Sequence, residues 1–318
     1  MKTIFINMYT TLKKESSRRR AFIFLFLAPT MLCFCMFYLY PILTVFATSF
    51  SKWDFSNVAK PEFYGIGELF TNYKYIFTVY PYFWEALRNS VIWAMLGVFV
   101  QVPIAVIVAL ALSRKMRGWV IIRNIYIIPN VISTAALSLI FLQLYNPKYG
   151  IVNQFIQLFN PTFTDNILLL PVINFIAMTC AYIFFTGYTT VLLLGNVMAV
   201  PEEIYEAALM DGASGFKRDL YITLPIIKDS IKTVSVLAAT SGFLIYNEVF
   251  FLTRGAAGTR SISYVIRELA IMSPKTQFAR ANTVGVVQVV MGLVLVALVT
   301  LMYSLPYGKI FGKIRGRK

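Results

Sequence analysis

Acidic side chains are scarce in this sequence and gather in one place. Of fourteen Asp and Glu in 318 residues, five (Glu202, Glu203, Glu206, Asp211 and Asp219) fall in residues 200–224, VPEEIYEAALMDGASGFKRDLYITL, with Pro225 next. The chain has no histidine to work with them, so no Ser-His-Asp relay exists. Cys33, Cys35 and Cys180 lie in apolar stretches at spacings that make no metal-ligand set. No G-x-x-x-x-G-K-[ST] phosphate loop occurs. The acids therefore read as charge partners for a neighbour, and the chain as binding no cofactor of its own. If this protein pumps anything, another subunit supplies the energy.

The stretch has a local structure of its own. Pro201 suits a first helical position, and Glu202 and Glu203 complement the helix dipole in the first turn. Ile204, Ala207 and Ala208 share one face at helical spacing. Gly212 can turn left-handed and end the helix. A second short helix follows, up to Pro225. An amphipathic helix lying parallel to a membrane results, and its plain reading is an interfacial helix packed on lipid or on its own bundle.

The rest of the chain supplies the membrane. Hydrophobic residues make up 58% and charged ones 14%, against about 25% charged in soluble domains. Residues 21–50, 89–113, 124–145, 167–200 and 281–308 contain no Asp, Glu, Lys or Arg, and each reaches the roughly 20 residues a spanning helix needs. A sixth span, residues 233–253, holds one acid, Glu248. The first span is too long for a secretory signal and reads as a retained helix. The fold class expected is all-α, with six transmembrane helices.

Basic residues set the direction. The arm 1–20 holds six Lys and Arg, 114–123 four, 200–232 four and the tail 309–318 five, while the Lys148 loop holds one. Cytoplasmic loops are the positive ones. Both termini and the 200–225 loop are therefore expected inside. The net charge of +15 is read as topology signal and attraction to anionic lipid, not nucleic-acid binding. The outer loop 51–88, rich in Trp, Tyr, Phe and Pro, is expected to be ordered, with a short helix near 72–79.

EAALMDGAS, followed by ITLP at 222–225, resembles the EAA loop of binding-protein-dependent ABC importer permeases. In that family the loop is a coupling helix that docks in a cleft of a cytoplasmic ATPase subunit. The resemblance assigns that role to Glu206, Ala207, Ala208, Asp211, Gly212 and Ala213. Further stretches are similar to the MalF-like carbohydrate permeases: Ala28-Pro29, Tyr40-Pro41, Ser49-Phe50-Ser51-Lys52-Trp53-Asp54, Arg88-Asn89-Ser90, residues 123–129 and residues 146–153. The resemblance covers nearly the whole chain and implies the six-helix type I (MetI-like) permease fold. It also implies a second homologous permease, two ATPase subunits binding ATP and Mg, an extracellular solute-binding protein, and a sugar or oligosaccharide cargo in a bacterial cell membrane. The pore subunit itself is then not an enzyme.

The sequence departs from the family at Arg254-Gly255-Ala256-Ala257-Gly258, where Gly-Gly-Pro is usual, and at Asn247 and Glu248, which replace a Phe-Asp environment. Tyr188, thirteen residues before Pro201, matches a sugar-contacting tyrosine of the maltose permease. Ser241, Asn247 and Phe185 are further candidates for a solute path near the midplane. Beside that stands the reading that such residues only bridge helices, or that the pore has no fixed site. The same fold carrying a non-sugar solute, and a carrier working alone, are the rival functions.

Overall fold

The computed structural model describes residues 2–183, 186–272 and 277–304. The tail 309–318 and Phe185 lie outside the described residues. Among the described residues, four helices are long and apolar enough to cross a membrane: Arg18–Thr48, Phe83–Ser113, Ile173–Met198 (described as Ile173–Ile183 and Thr186–Met198) and Phe278–Ser304. A fifth span results if Trp119–Val131 and Thr134–Leu144, bent by 100°, are taken together.

Two of the six expected spans differ from straight helices. In the third, Ile132 and Ser133 are extended, and Ser133 caps the second half by accepting from the Ala136 amide at 3.2 Å. Pro129, just before the bend, has no amide to hold the first half's last turn. The fifth is helical over Lys228–Phe243, 16 residues, or about 24 Å at 1.5 Å per residue. It breaks at Leu244 and resumes as a wide π turn, Val249–Thr253. Irregular backbone at membrane depth needs internal hydrogen-bond partners. Here Ser261 donates to the Ile245 carbonyl (2.7 Å) and Ser263 to that of Leu244 (3.3 Å).

Burial separates the helices by role. In its most apolar window, Ile173–Met198 is 62% buried, Phe83–Ser113 39%, Phe278–Ser304 17% and Arg18–Thr48 0%. The second and fourth spans are thus the core, while the first is exposed along most of its length and meets the last helix near its end, where Asn282 donates to the Thr48 hydroxyl at 2.7 Å. Trp93 of the second span is fully buried and stacks on Phe175 of the fourth at 4.6 Å. Gly97 and Gly242 let the second and fifth spans touch backbone to backbone: a Cβ at either would collide with the facing carbonyl of Ala238 or Trp93. The helix at the amino end begins already at Lys2, so the expected arm 1–20 is continuous with the first span.

The expected outer helix is present at Thr71–Thr78. Around it the Ser49–Asp54 stretch is ordered, and Ser51–Lys52 pairs antiparallel with Glu62–Phe63. Asn72 donates to the Ser49 and Ser51 carbonyls at 2.9 and 2.8 Å. The Ala279 amide donates to the Trp53 carbonyl at 3.0 Å, and the Trp53 ring packs on Phe278 at 5.0 Å. The start of the outer loop is thereby fastened to the outer end of the last helix.

Candidate functional site

The acid-rich stretch forms the helix Glu202–Met210. Pro201 sits one position outside it, as the N-cap with φ −57° and ψ 141°, and Glu202 and Glu203 fill the first turn. Gly212 takes φ +76°. Its amide donates to Leu209 O at 3.0 Å and the Ala213 amide to Ala208 O at 2.9 Å, the paired bonds that close a helix on a left-handed residue. The expected cap is therefore present in detail, and the backbone of Gly212 and Ala213 is spent in forming it.

Side chains on this element face two ways. Ala208 is buried, fixing the inner face, while Glu206, Ala207, Asp211 and Gly212 are exposed and Ala213 half-buried. Three large apolar side chains point outward: Met210 at 88% exposure, Phe216 at 76% and Leu209 at 63%. An apolar edge on so polar an element marks a surface that another body covers.

Beneath the helix lies a cleft of about 600 Å³ lined by Arg114, Tyr205, Glu206, Leu209, Ala213 and Arg218. A charged brace borders it through Arg114 and Arg218. Asp219, buried, receives Arg114 Nη2 at 2.6 Å and Arg218 Nη2 at 3.2 Å. The Arg218 guanidinium lies 4.7 Å from the centre of the Tyr205 ring, a cation–π distance. The Thr223 hydroxyl reaches the Tyr205 hydroxyl at 3.5 Å. Sequence reasoning singled out none of these braces. Arg114 and Asp219 are 105 positions apart, and the one available signal was a lone acid beside a base at the mouth of a span.

The solute-path candidates divide. Tyr188 is 57% exposed and Ser241 is exposed, so both stand on open faces of the Thr186–Met198 and Lys228–Phe243 helices. Asn247 is half-buried and donates its Nδ2 to the Thr134 hydroxyl. It therefore ties the third span to the fifth, as interhelical polar groups commonly do.

At the outer end, the Arg88-Asn89-Ser90 stretch acquires a physical reason. Asn89 donates to the carbonyls of Gly258 (2.8 Å) and Arg260 (3.0 Å), and Ser90 accepts from the Ile262 amide at 3.0 Å. Asn174 holds the Ala257 carbonyl at 3.1 Å. The turn they clamp is the segment that departs from Gly-Gly-Pro. Its Arg254 and Ala257 sit at φ +51° and +49°, left-handed without being glycine. Nearby, Tyr80 donates to Glu268 Oε2 at 3.3 Å, and burial together with that carboxylate pushes the Tyr80 phenol above its ordinary pKa.

Apolar spans around a broken fifth helix, with a capped amphipathic helix at one end, define a polytopic α-helical membrane protein. No family model matches the chain. The probable ABC transporter permease protein YurN of Bacillus subtilis is 30% identical to it, covering 91% of this chain and 95% of that one. The chain belongs to the ABC transporter permeases. It is also 28% identical to the trehalose/maltose transport system permease protein MalF of Thermococcus litoralis, covering 76% and 80% of the two chains. It is 28% identical to the diacetylchitobiose uptake system permease protein NgcF of Streptomyces coelicolor, covering 93% and 86%. A crystal structure of a bacterial ABC transporter involved in the import of the acidic polysaccharide alginate shares the fold, with TM-score 0.76 at 19% identity over 91% of this chain and 97% of that one.

Proposed function

We propose that this chain forms half of the pore of an ATP-driven, binding-protein-dependent importer in a bacterial cell membrane, and that its cargo is a sugar or oligosaccharide. It pairs with a second homologous permease. Two ATPase subunits, which bind ATP and Mg, sit beneath, and an extracellular binding protein delivers solute from outside. The chain itself carries no catalytic step. The bent third span and the broken fifth each cross the membrane once, giving six crossings with both termini in the cytoplasm.

The observation that carries this reading is the Glu202–Met210 helix, capped at Gly212 and exposing Leu209 and Met210, with Phe216 exposed at the start of the next short helix. Such an edge suits insertion into an apolar cleft of an ATPase, and the exposed Glu206 and Asp211 supply charge partners at its rim. Closure of the ATPases on ATP would draw the two coupling helices together and favour the outward-open state; hydrolysis returns the inward-open one. The names of the trehalose/maltose and diacetylchitobiose permeases support a saccharide cargo. Along its route, Tyr188 and Ser241 offer an aromatic face and a hydroxyl to a polyhydroxylated solute. By sequence position Phe185 and Asn247 are the further candidates on this path.

The test is a sugar panel. The cognate extracellular binding protein should bind a neutral mono- or oligosaccharide, and that sugar should drive ATP-dependent uptake in vesicles holding the whole assembly. Binding and uptake confined to a peptide, a phosphate or a polyamine would remove the saccharide reading. Uptake by this chain without an ATPase would remove the importer reading.

A further inference from the structure

We infer that Asp219 and Arg114 form a second mechanical link, by which movement of the Glu202–Met210 helix reaches the second span and, through it, the outer turn held by Asn89. The inference rests on the coupling role proposed above.

The link can be followed residue by residue. Tyr205 projects from the lever helix and carries the Arg218 guanidinium on its ring, 4.7 Å from the centre. Arg218 bonds one oxygen of Asp219 at 3.2 Å, and Arg114 bonds the other at 2.6 Å. The Asp219 side chain is only 7% exposed. A buried carboxylate holding two guanidinium partners loses a great deal when either leaves, and short charge-assisted bonds are the strong ones. The three side chains therefore move as one body instead of sliding past each other.

Arg114 delivers that motion directly. It is the first residue after the Phe83–Ser113 helix. The connection to Trp119 is short and tightly wound, with left-handed Lys115 and Gly118, and amide bonds from Lys115 to Leu112 O (3.1 Å) and from Trp119 to Met116 O (3.0 Å). Displacing Arg114 thus displaces the end of the second span and the start of the third. The second span runs 31 residues, about 46 Å at 1.5 Å per residue. Near its other end Asn89 grips the carbonyls of Gly258 and Arg260. One helix therefore joins a charged brace on the cytoplasmic side to the clamp on the outer turn. Tyr205 of the lever also packs, as Leu110 of the second span does, on the Val197, Val200 and Ile227 cluster, so the brace adds a charged route to an apolar one.

The experiment uses the complete transporter in proteoliposomes: this chain with its cognate permease, ATPase and binding protein. Asp219→Asn and Arg114→Gln are compared with wild type and with the charge-retaining Arg114→Lys. Three quantities are read: co-purification of the ATPase, stimulation of ATP hydrolysis by solute-loaded binding protein, and labelling of an Ala257→Cys reporter by an impermeant maleimide with and without ATP. Asp219→Asn and Arg114→Gln are expected to co-purify normally. Their stimulation should fall roughly 5-fold or more, the low end of ordinary coupling between sites. The ATP-dependent change in labelling should disappear with it, and Arg114→Lys should keep most of both. Full stimulation in Asp219→Asn or Arg114→Gln overturns the link. So does loss of ATPase co-purification in them, which would make the pair a local brace for folding. A wild-type assembly whose hydrolysis ignores the loaded binding protein would instead overturn the proposed function.

Discussion

The two ends of this bundle are fastened by different chemistry. The outer turn is held by neutral donors: Asn89, Asn174 and Ser261 each give a proton to a backbone carbonyl, and Ser90 accepts an amide. The Glu202–Met210 helix at the other end is held by charged contacts around Asp219 and by Tyr205 packed on Val197, Val200 and Ile227, and leaves Leu209 and Met210 uncovered. Buried side chains, Asn89 and Asn174 among them, make these bonds, so the outer fastening contributes to stability. The inner fastening is sparse and partly ionic, which leaves the lever free to move as a unit. On the proposed function, stability is concentrated at the first of these ends and coupling at the second.

Substitutions can sharpen or break that division. The largest loss of stability is expected for Asn89→Ala, because a buried side chain is truncated and the Gly258 and Arg260 carbonyls lose their donor, at about 2–3 kcal/mol in all. Its unfolding temperature in detergent should drop while ATPase binding, measured below that temperature, is unchanged. Ser261→Ala should follow, at about 1–2 kcal/mol, since that hydroxyl caps the Ile262–Arg267 helix and satisfies Ile245 O. Gly212→Val should cost the lever about 1–2 kcal/mol, because a β-branched residue is forced left-handed. Its effect should appear as ATPase binding weakened about 5- to 30-fold, with normal membrane insertion. Glu206→Lys should also weaken binding and leave insertion intact. The smallest effect is expected from Ala257→Gly, which should raise stability by no more than about 0.5 kcal/mol. Relief of left-handed strain is there offset by the freer unfolded chain. If Gly212→Val lowered the unfolding temperature as much as Asn89→Ala, the division of labour would fail.

How much of this was legible in the sequence depended on range. The lever could be read because its signals are local: Pro201, two glutamates and Gly212 act within one helix, and the structure differs in placing Pro201 just outside it and in burying only Ala208 of the expected Ile204, Ala207 and Ala208 face. The Thr71–Thr78 helix was legible for the same reason. The bend at Ile132–Ser133 was not, since apolar content says nothing about direction. The break at Leu244 was equally hidden, because its carbonyls are satisfied by Ser261 and Ser263 from a loop beyond it. Asn247 looked like a solute contact by type and position, and only the fold shows its amide on Thr134. The resemblance carried by Arg88-Asn89-Ser90 marked the outer clamp without giving its reason. That reason is contact with a turn some 170 residues away.

The central claim is that the Glu202–Met210 helix engages an ATP-hydrolysing subunit, and Met210 is placed to test it. With Cys33, Cys35 and Cys180 replaced, a Met210→Cys variant in the assembled transporter is treated with a short thiol-reactive photo-crosslinker. The account predicts a crosslink to the ATPase whose yield changes between nucleotide-free and ATP-bound states. Crosslinks to lipid alone, or to no ATP-hydrolysing partner in either state, would contradict it.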